Sequence, residues 1–113
     1  MRKVDQQLLN AIDARQDGFA KGNRSTRVLD NGNVEVRFHG HHIATVTGRA
    51  LVAINNCGYW TVTTKQILNE ILHEFIGYGL YQKNFDWFVS YNNQTESFWD
   101  GMILIDSDSL QIA

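Results

Sequence analysis

The residues whose types and spacing suit chemistry in this chain are polar and aromatic. Arg24, Arg27, Arg37 and Arg49 fall around turns between strand-like segments, Thr63-Thr64-Lys65 stands at a helix start, and Trp60, Phe85, Trp87 and Trp99 supply large rings. Guanidinium groups make paired contacts to phosphate, the free N–H groups of a helix start favour anions, and aromatic faces stack nucleobases. Together these groups suit the holding of a small nucleotide, with Thr64 and Lys65 as candidate phosphate contacts. The same residues have a plainer use: threonines cap helices, aromatics fill cores, and arginines sit on solvated strands.

Catalytic patterns are weaker. His39-Gly40-His41-His42 offers imidazoles, yet its spacing is poor for a metal and no Cys or carboxylate with ligand spacing is close in sequence. A polar turn is the expectation, with no metal. His73, between Glu70 and Glu74, reads as a solvated helix residue. Cys57 is the one cysteine, expected in a turn between strands and away from a helix start that would favour its thiolate. Asp86, Glu96, Asp100, Asp106 and Asp108 are scattered, and neither a Gly-rich phosphate loop nor a nucleophile elbow occurs. Binding without catalysis, and without a cofactor, is therefore the expectation.

The elements that position these residues follow from periodicity. Val4, Leu8, Ala11, Ile12 and Arg15 form one stripe of a helix expected over about 4–16. From Ser25 the period becomes two, and Val34, Val36 and Phe38 alternate with Glu35, Arg37 and His39. Asn31-Gly32 between alternating segments predicts a hairpin whose two central residues both take positive φ. Further turns at His39-Gly40 and Thr47-Gly48 extend this to a four-strand meander, and Tyr59-Trp60-Thr61-Val62 reads as a fifth strand, so the meander covers about 25–62. A helix over about 64–76 follows, capped by Thr63 or Thr64 with Gln66 in the capping-box position. Its apolar face, Ile67, Leu68, Ile71, Leu72 and Phe75, must cover the sheet. Two or three strands over about 79–105 complete the chain, with Asn92–Ser97 as a polar loop.

The expected architecture is α+β, an antiparallel meander sheet of about seven strands packed with two helices in one domain, 1–113. Length fits that: 113 residues support one core. Hydrophobic residues at 43% and charged residues at 19% exclude a disordered chain. A net charge of -2 and a pI near 6.0 argue against a long nucleic acid as partner, though not against a small phosphorylated one. No apolar run reaches the roughly 18 residues of a membrane span, and the start Met1-Arg2-Lys3-Val4-Asp5-Gln6 lacks a signal peptide's apolar stretch, so the cytoplasm is the expected compartment.

Over residues 23 to 90 the chain resembles a known group of proteins. The passages are Ser25-Thr26-Arg27-Val28, Val36-Arg37-Phe38-His39-Gly40-His41-His42-Ile43-Ala44, Gly58-Tyr59-Trp60-Thr61-Val62-Thr63-Thr64-Lys65, Leu68-Asn69, Tyr81-Gln82-Lys83 and Asp86-Trp87-Phe88-Val89. They are similar to small phage proteins of the Thoeris anti-defence family, the signal-sequestering sponges. Ser25 stands where that pattern has Asn, Phe38 where it has Leu, and Tyr59 is an extra residue before Trp60. The resemblance implies a phage protein in the host bacterial cytoplasm that withholds a cyclic nucleotide-type messenger, a glycocyclic ADP-ribose or a cyclic oligonucleotide, without cleaving it. It implies a dimer or larger assembly, Arg24 and Arg27 on phosphate, Phe85 or Trp87 for stacking, and Asn92 on ribose or base edges. Two other readings stay open: an inhibitor that docks on a host defence protein, and a hydrolase of the same messenger.

Overall fold

The computed structural model describes all 113 residues. Its elements are α1 (Lys3–Asp13), β1 (Ala20–Lys21), β2 (Arg24–Val28), β3 (Val34–Phe38), β4 (His41–Thr47), β5 (Leu51–Ile54), α2 (Val62–Ile76), β6 (Gly79–Lys83), β7 (Asp86–Tyr91), β8 (Gln94–Ser97), β9 (Met102–Ile105) and β10 (Gln111–Ile112). The fold is α+β. Seven strands form one antiparallel sheet in the order β1-β2-β3-β4-β5-β9-β10, and β6-β7-β8 form a second, smaller one. The segment expected as a polar loop supplies β8, whose Gln94–Ser97 pair with Phe88–Tyr91 of β7.

The hairpins form because the chain can take positive φ where they turn. At Asn31-Gly32 only Gly32 does so, at 86°, and Gly32 N–H donates to Leu29 O at 2.9 Å. That is a three-residue loop closed by a left-handed glycine, not the expected two-residue turn; Asn31 instead accepts from Asn33 N–H through its side chain at 2.9 Å. The two-residue turn with both φ positive occurs at His39-Gly40 (52° and 79°), and again at Asn84-Phe85 and Asn92-Asn93.

α2 lies on the sheet. Ile67, Leu68, Ile71 and Leu72 are fully buried against a face that includes Val36, Val46, Val52, Ile54, Met102 and Leu104. Each such side chain stabilises the fold by about 1.5 to 3 kcal/mol. Gly77 ends the helix at φ 73°, its N–H on His73 O at 3.1 Å. Tyr59–Val62 is not a strand. The chain turns through Cys57 and Gly58 (φ 55° and 81°), and Thr61, rather than Thr63 or Thr64, caps α2 by accepting from Thr64 N–H at 3.2 Å. A hydroxyl acceptor three residues ahead of a free N–H outweighed the strand preference of Tyr, Trp and Val.

α1 stops at Asp13, and Arg15 takes φ 51° outside it. Its inner face carries Asp5, which is 1% exposed and bound to Arg24 Nε of β2 at 2.7 Å. Arg24 also lies over the Phe38 ring, 5.1 Å from its centroid. Next to this pair, Glu70 of α2 is pushed up to about 7, first by desolvation, then by the Asp5 charge and a hydrogen bond to Asp5. With both carboxyls ionised Asp5 Oδ2 has no donor, and a proton on Glu70 supplies one.

Removing one member of the Asp5–Arg24 pair strands a buried charge. Arg24→Ala is expected to lower stability by about 3 to 5 kcal/mol in denaturant titration. Because the Glu70 value is raised on folding, the native state holds an extra proton between about 4.5 and 7. Its contribution is complete below about pH 4.5 and is lost as pH rises through 7. The difference in melting temperature between wild type and Glu70→Gln should therefore change across that window and stay flat above it.

Candidate functional site

β2 carries no bulge in its pairing with β3, so its side chains alternate strictly. Arg24 and Thr26 face inward and are buried, whereas Arg27 faces outward and is exposed. Arg24 and Arg27 therefore point to opposite faces of the sheet and do not share a ligand. Arg24 is taken by Asp5, by Gly22 O and by the Phe38 ring.

The other candidates are dispersed as well. Trp87 is 2% exposed and forms an aromatic cluster with Trp60 and Phe98, ring centroids 5.1 and 5.4 Å away. It is a core residue. Phe85 is 88% exposed at a turn tip with φ 69°. Asn92 sits in another turn and donates from Nδ2 to Asp108 O at 2.9 Å. Lys65 Nζ donates to Gln82 at 2.9 Å, and Thr64 is buried in the first turn of α2.

A cleft of about 290 Å³ lies at that first turn, lined by Phe38, His39, His41, Ile43, Asn56, Tyr59, Thr61, Thr63 and Thr64. Local backbone geometry builds it. Between Val36↔Ala44 and Arg37↔His42 the register shifts, so that Ile43 is an extra residue in β4. Ile43 and Ala44 are consecutive, yet both are buried. Beyond such a bulge the side-chain alternation reverses, which brings His41 to the side of Ile43 and Phe38 and leaves His42 on the other. His42 there faces Glu35 at 3.9 Å and Thr45 Oγ1 at 2.7 Å. His41 meets Tyr59, ring centroids 4.4 Å apart.

α2 closes the cleft with its start. Thr61 Oγ1 occupies the Thr64 N–H, and Lys65 N–H bonds to Thr61 O, while the N–H groups of Val62 and Thr63 have no acceptor in the chain. Asn56, 2% exposed, forms part of the wall. No lining residue is acidic; most of the exposed lining surface is apolar, and its polar groups come from imidazoles, hydroxyls and an amide. Cys57, just outside, donates to His42 O at 3.2 Å, and partial desolvation followed by the Asp100 charge pushes its thiol up. No three His, Cys, Asp or Glu side chains gather as metal ligands.

Residues 1–105 match the model of the Kyanoviridae Gp96 protein family. The chain belongs to that family. It is thus a phage protein, and none of its helices is long and apolar enough to cross a membrane. No curated protein and no solved structure matches the chain. For this Gp96 family member, sequence reading reached the cleft through Thr63 and Thr64 at the helix start, and through His39 and His41 only as a polar turn. His39 and His41 carried one usable signal, the consecutive apolar run at Ile43-Ala44 that marks a bulge beside them; Asn56 and Tyr59 carried none.

Phe85 is a bulky residue in a conformation that suits glycine, following an asparagine. Phe85→Gly is expected to raise stability by about 1 kcal/mol, read as a higher midpoint in thermal or chemical unfolding.

Proposed function

We propose that this phage protein binds a small phosphorylated, base-containing messenger in the cleft at the head of α2 and withholds it without turnover. The observation that carries this reading is the make-up of the cleft: donors from Asn56, Thr63, His39, His41 and the helix start, rings from Phe38, Tyr59 and the histidines, and no carboxylate. A lining with donors and no carboxylate favours an anion, and flat rings favour a base. The similarity of residues 23 to 90 to signal-sequestering sponges suggests the same ligand class, a cyclic nucleotide or ADP-ribose derivative. The ligand contacts assigned here differ from those that the similarity implies, since Arg24 and Trp87 are held in the interior.

A second reading, docking on a host defence protein, has one observation in its favour. Trp60, Val62, Phe85 and Trp99 are 56%, 60%, 88% and 47% exposed. Apolar groups left in water on this scale often serve contact with another protein.

Thermal melting with a panel of cyclic nucleotides and ADP-ribose derivatives separates the two. A ligand at about a hundred times its Kd stabilises the native state by roughly 2.7 kcal/mol, a shift of several degrees. One member of the panel should produce it and be recovered intact after heat denaturation. Recovery of a new product would replace sequestration with hydrolysis. A flat panel together with capture of a defence protein from infected cells would favour docking.

A further inference from the structure

We propose that the gap between the ends of α1 and α2 is a binding site for a small organic acid with an apolar body the size of one ring, and that Arg15 is its carboxylate contact. The site is distinct from the cleft at the head of α2, and it stands whether or not that cleft holds a messenger.

A cavity of about 140 Å³ lies in this gap. Its deep wall is apolar: Ile12, Val34, Val46 and Phe75 line it and are 2%, 2%, 1% and 5% exposed. Its outer part is polar, from the exposed side chains of Asp13, Arg15 and Arg49. An apolar cavity of about 150 Å³ is large enough to take benzene. One ring or a short branched chain therefore fits against the wall, with a charged group left among the polar residues.

The charges select that group. Arg49 is already committed: it bonds to Asp13 at 3.1 Å and to Glu74 O at 2.7 Å, and lies 5.2 Å from the centre of the Phe75 ring, which straps α1 to α2. Arg15 makes no ion pair within the chain. Its guanidinium is the charge that the cavity leaves uncompensated, and one carboxylate balances it with paired hydrogen bonds. A dianion would bring a second negative charge beside Asp13, which lines the same cavity.

Arg15 also stands where the backbone favours glycine. α1 ends with Gln16 N–H on Ala11 O at 2.9 Å and Arg15 N–H on Ile12 O at 3.1 Å, and Arg15 takes the left-handed position at φ 51°. α2 ends in a similar way, with Tyr78 N–H on Leu72 O at 3.2 Å, and has Gly77 in that position. From there the Arg15 side chain reaches over two turns whose glycines leave room for it. A Cβ on Gly32 would lie 3.5 Å from Arg15 Nη1, and one on Gly48 would lie 4.0 Å from Nη2. A guanidinium kept on a strained backbone, seated on two glycine turns and given no ionic partner, fits a ligand contact better than a helix cap.

The test is a titration of the full chain with benzoate and, separately, with benzene, followed by methyl and aromatic NMR. Each probe should shift the Ile12, Val34 and Val46 methyls and the Phe75 ring, and saturate. Arg15→Gly removes the guanidinium and the backbone strain together. It should weaken benzoate about tenfold or more, as for a lost hydrogen bond to a charged group, and leave benzene unaffected. The melting temperature should stay the same or rise, because glycine suits the left-handed position. Arg15→Gln should reproduce the loss of benzoate without the change at the backbone. Loss of both probes with a lower melting temperature would make Arg15 a structural residue and overturn the proposal. So would benzoate binding that survives both variants, benzene binding with none for benzoate, shifts that fall elsewhere, or no saturable shift from either probe.

Discussion

The hydrogen bonds made by Asn56 control how the two helical and sheet layers meet. Asn56 N–H on Asp100 ties the crossing from β5 to α2 to the loop before β9, and Asn56 Oδ1 on Gly58 N–H fixes the turn within that crossing. Gly101 N–H on Ile54 O, at 2.9 Å, ties the same loop to the end of β5. Since β9 pairs with β5, these contacts join neighbouring strands to the entry of the helix that covers them. The turn they fix through Cys57 and Gly58 places Thr61 at the cap, and the cap sets the phase of the apolar stripe that follows. A change of one residue in the start of α2 would rotate Ile67, Leu68, Ile71 and Leu72 by about 100° about the helix axis.

Where local pattern and long-range contact agree, the sequence predicts the fold well. The period-two segments from Arg24 to Ile54 pair as expected, and the spacing of Ile67, Leu68, Ile71, Leu72 and Phe75 gives a helix on the sheet. The failures have a common cause. Tyr59-Trp60-Thr61-Val62 has strand-forming residue types, but Trp60 is spent on the Trp87–Phe98 cluster and Thr61 on a cap, and both are tertiary or capping effects that propensity does not contain. The β8 segment, Gln94–Ser97, is exposed throughout and has no apolar alternation to reveal it; the Asn92-Asn93 turn and backbone pairing to β7 make it a strand.

The site was less legible than the fold for a related reason. Arg24 and Arg27 are three apart in one strand, which looks like a cluster in sequence and is a separation across the sheet in space. Asn56 belongs to a run of turn-forming residues, Asn55-Asn56-Cys57-Gly58, where asparagine is common for purely local reasons. Only its burial, together with one satisfied and one unsatisfied end of the same amide, sets it apart from an ordinary turn asparagine. Burial of that kind depends on β9 and α2, which arrive from distant parts of the chain.

Charge is distributed so that the cleft and the interior do not compete for it. The Asp5, Arg24 and Glu70 cluster lies where α1, β2 and α2 meet, and its Arg is committed there. Arg49, another candidate for an anion, is held by Asp13 at 3.1 Å and by Glu74 O at 2.7 Å, across the gap between α1 and α2. Both therefore hold the helices rather than a ligand, and Arg37 pairs loosely with Glu35 at 3.7 Å. With Arg24, Arg37 and Arg49 used in this way, an anion in the proposed cleft would meet oriented neutral dipoles. Such dipoles are fixed by the fold before a ligand arrives, so they need little reorganisation on binding, and they weaken less with salt than exposed ion pairs do. On the proposed reading, a protein that holds a messenger gains from that arrangement, because neutral donors fix an oxyanion with no cationic side chain to desolvate.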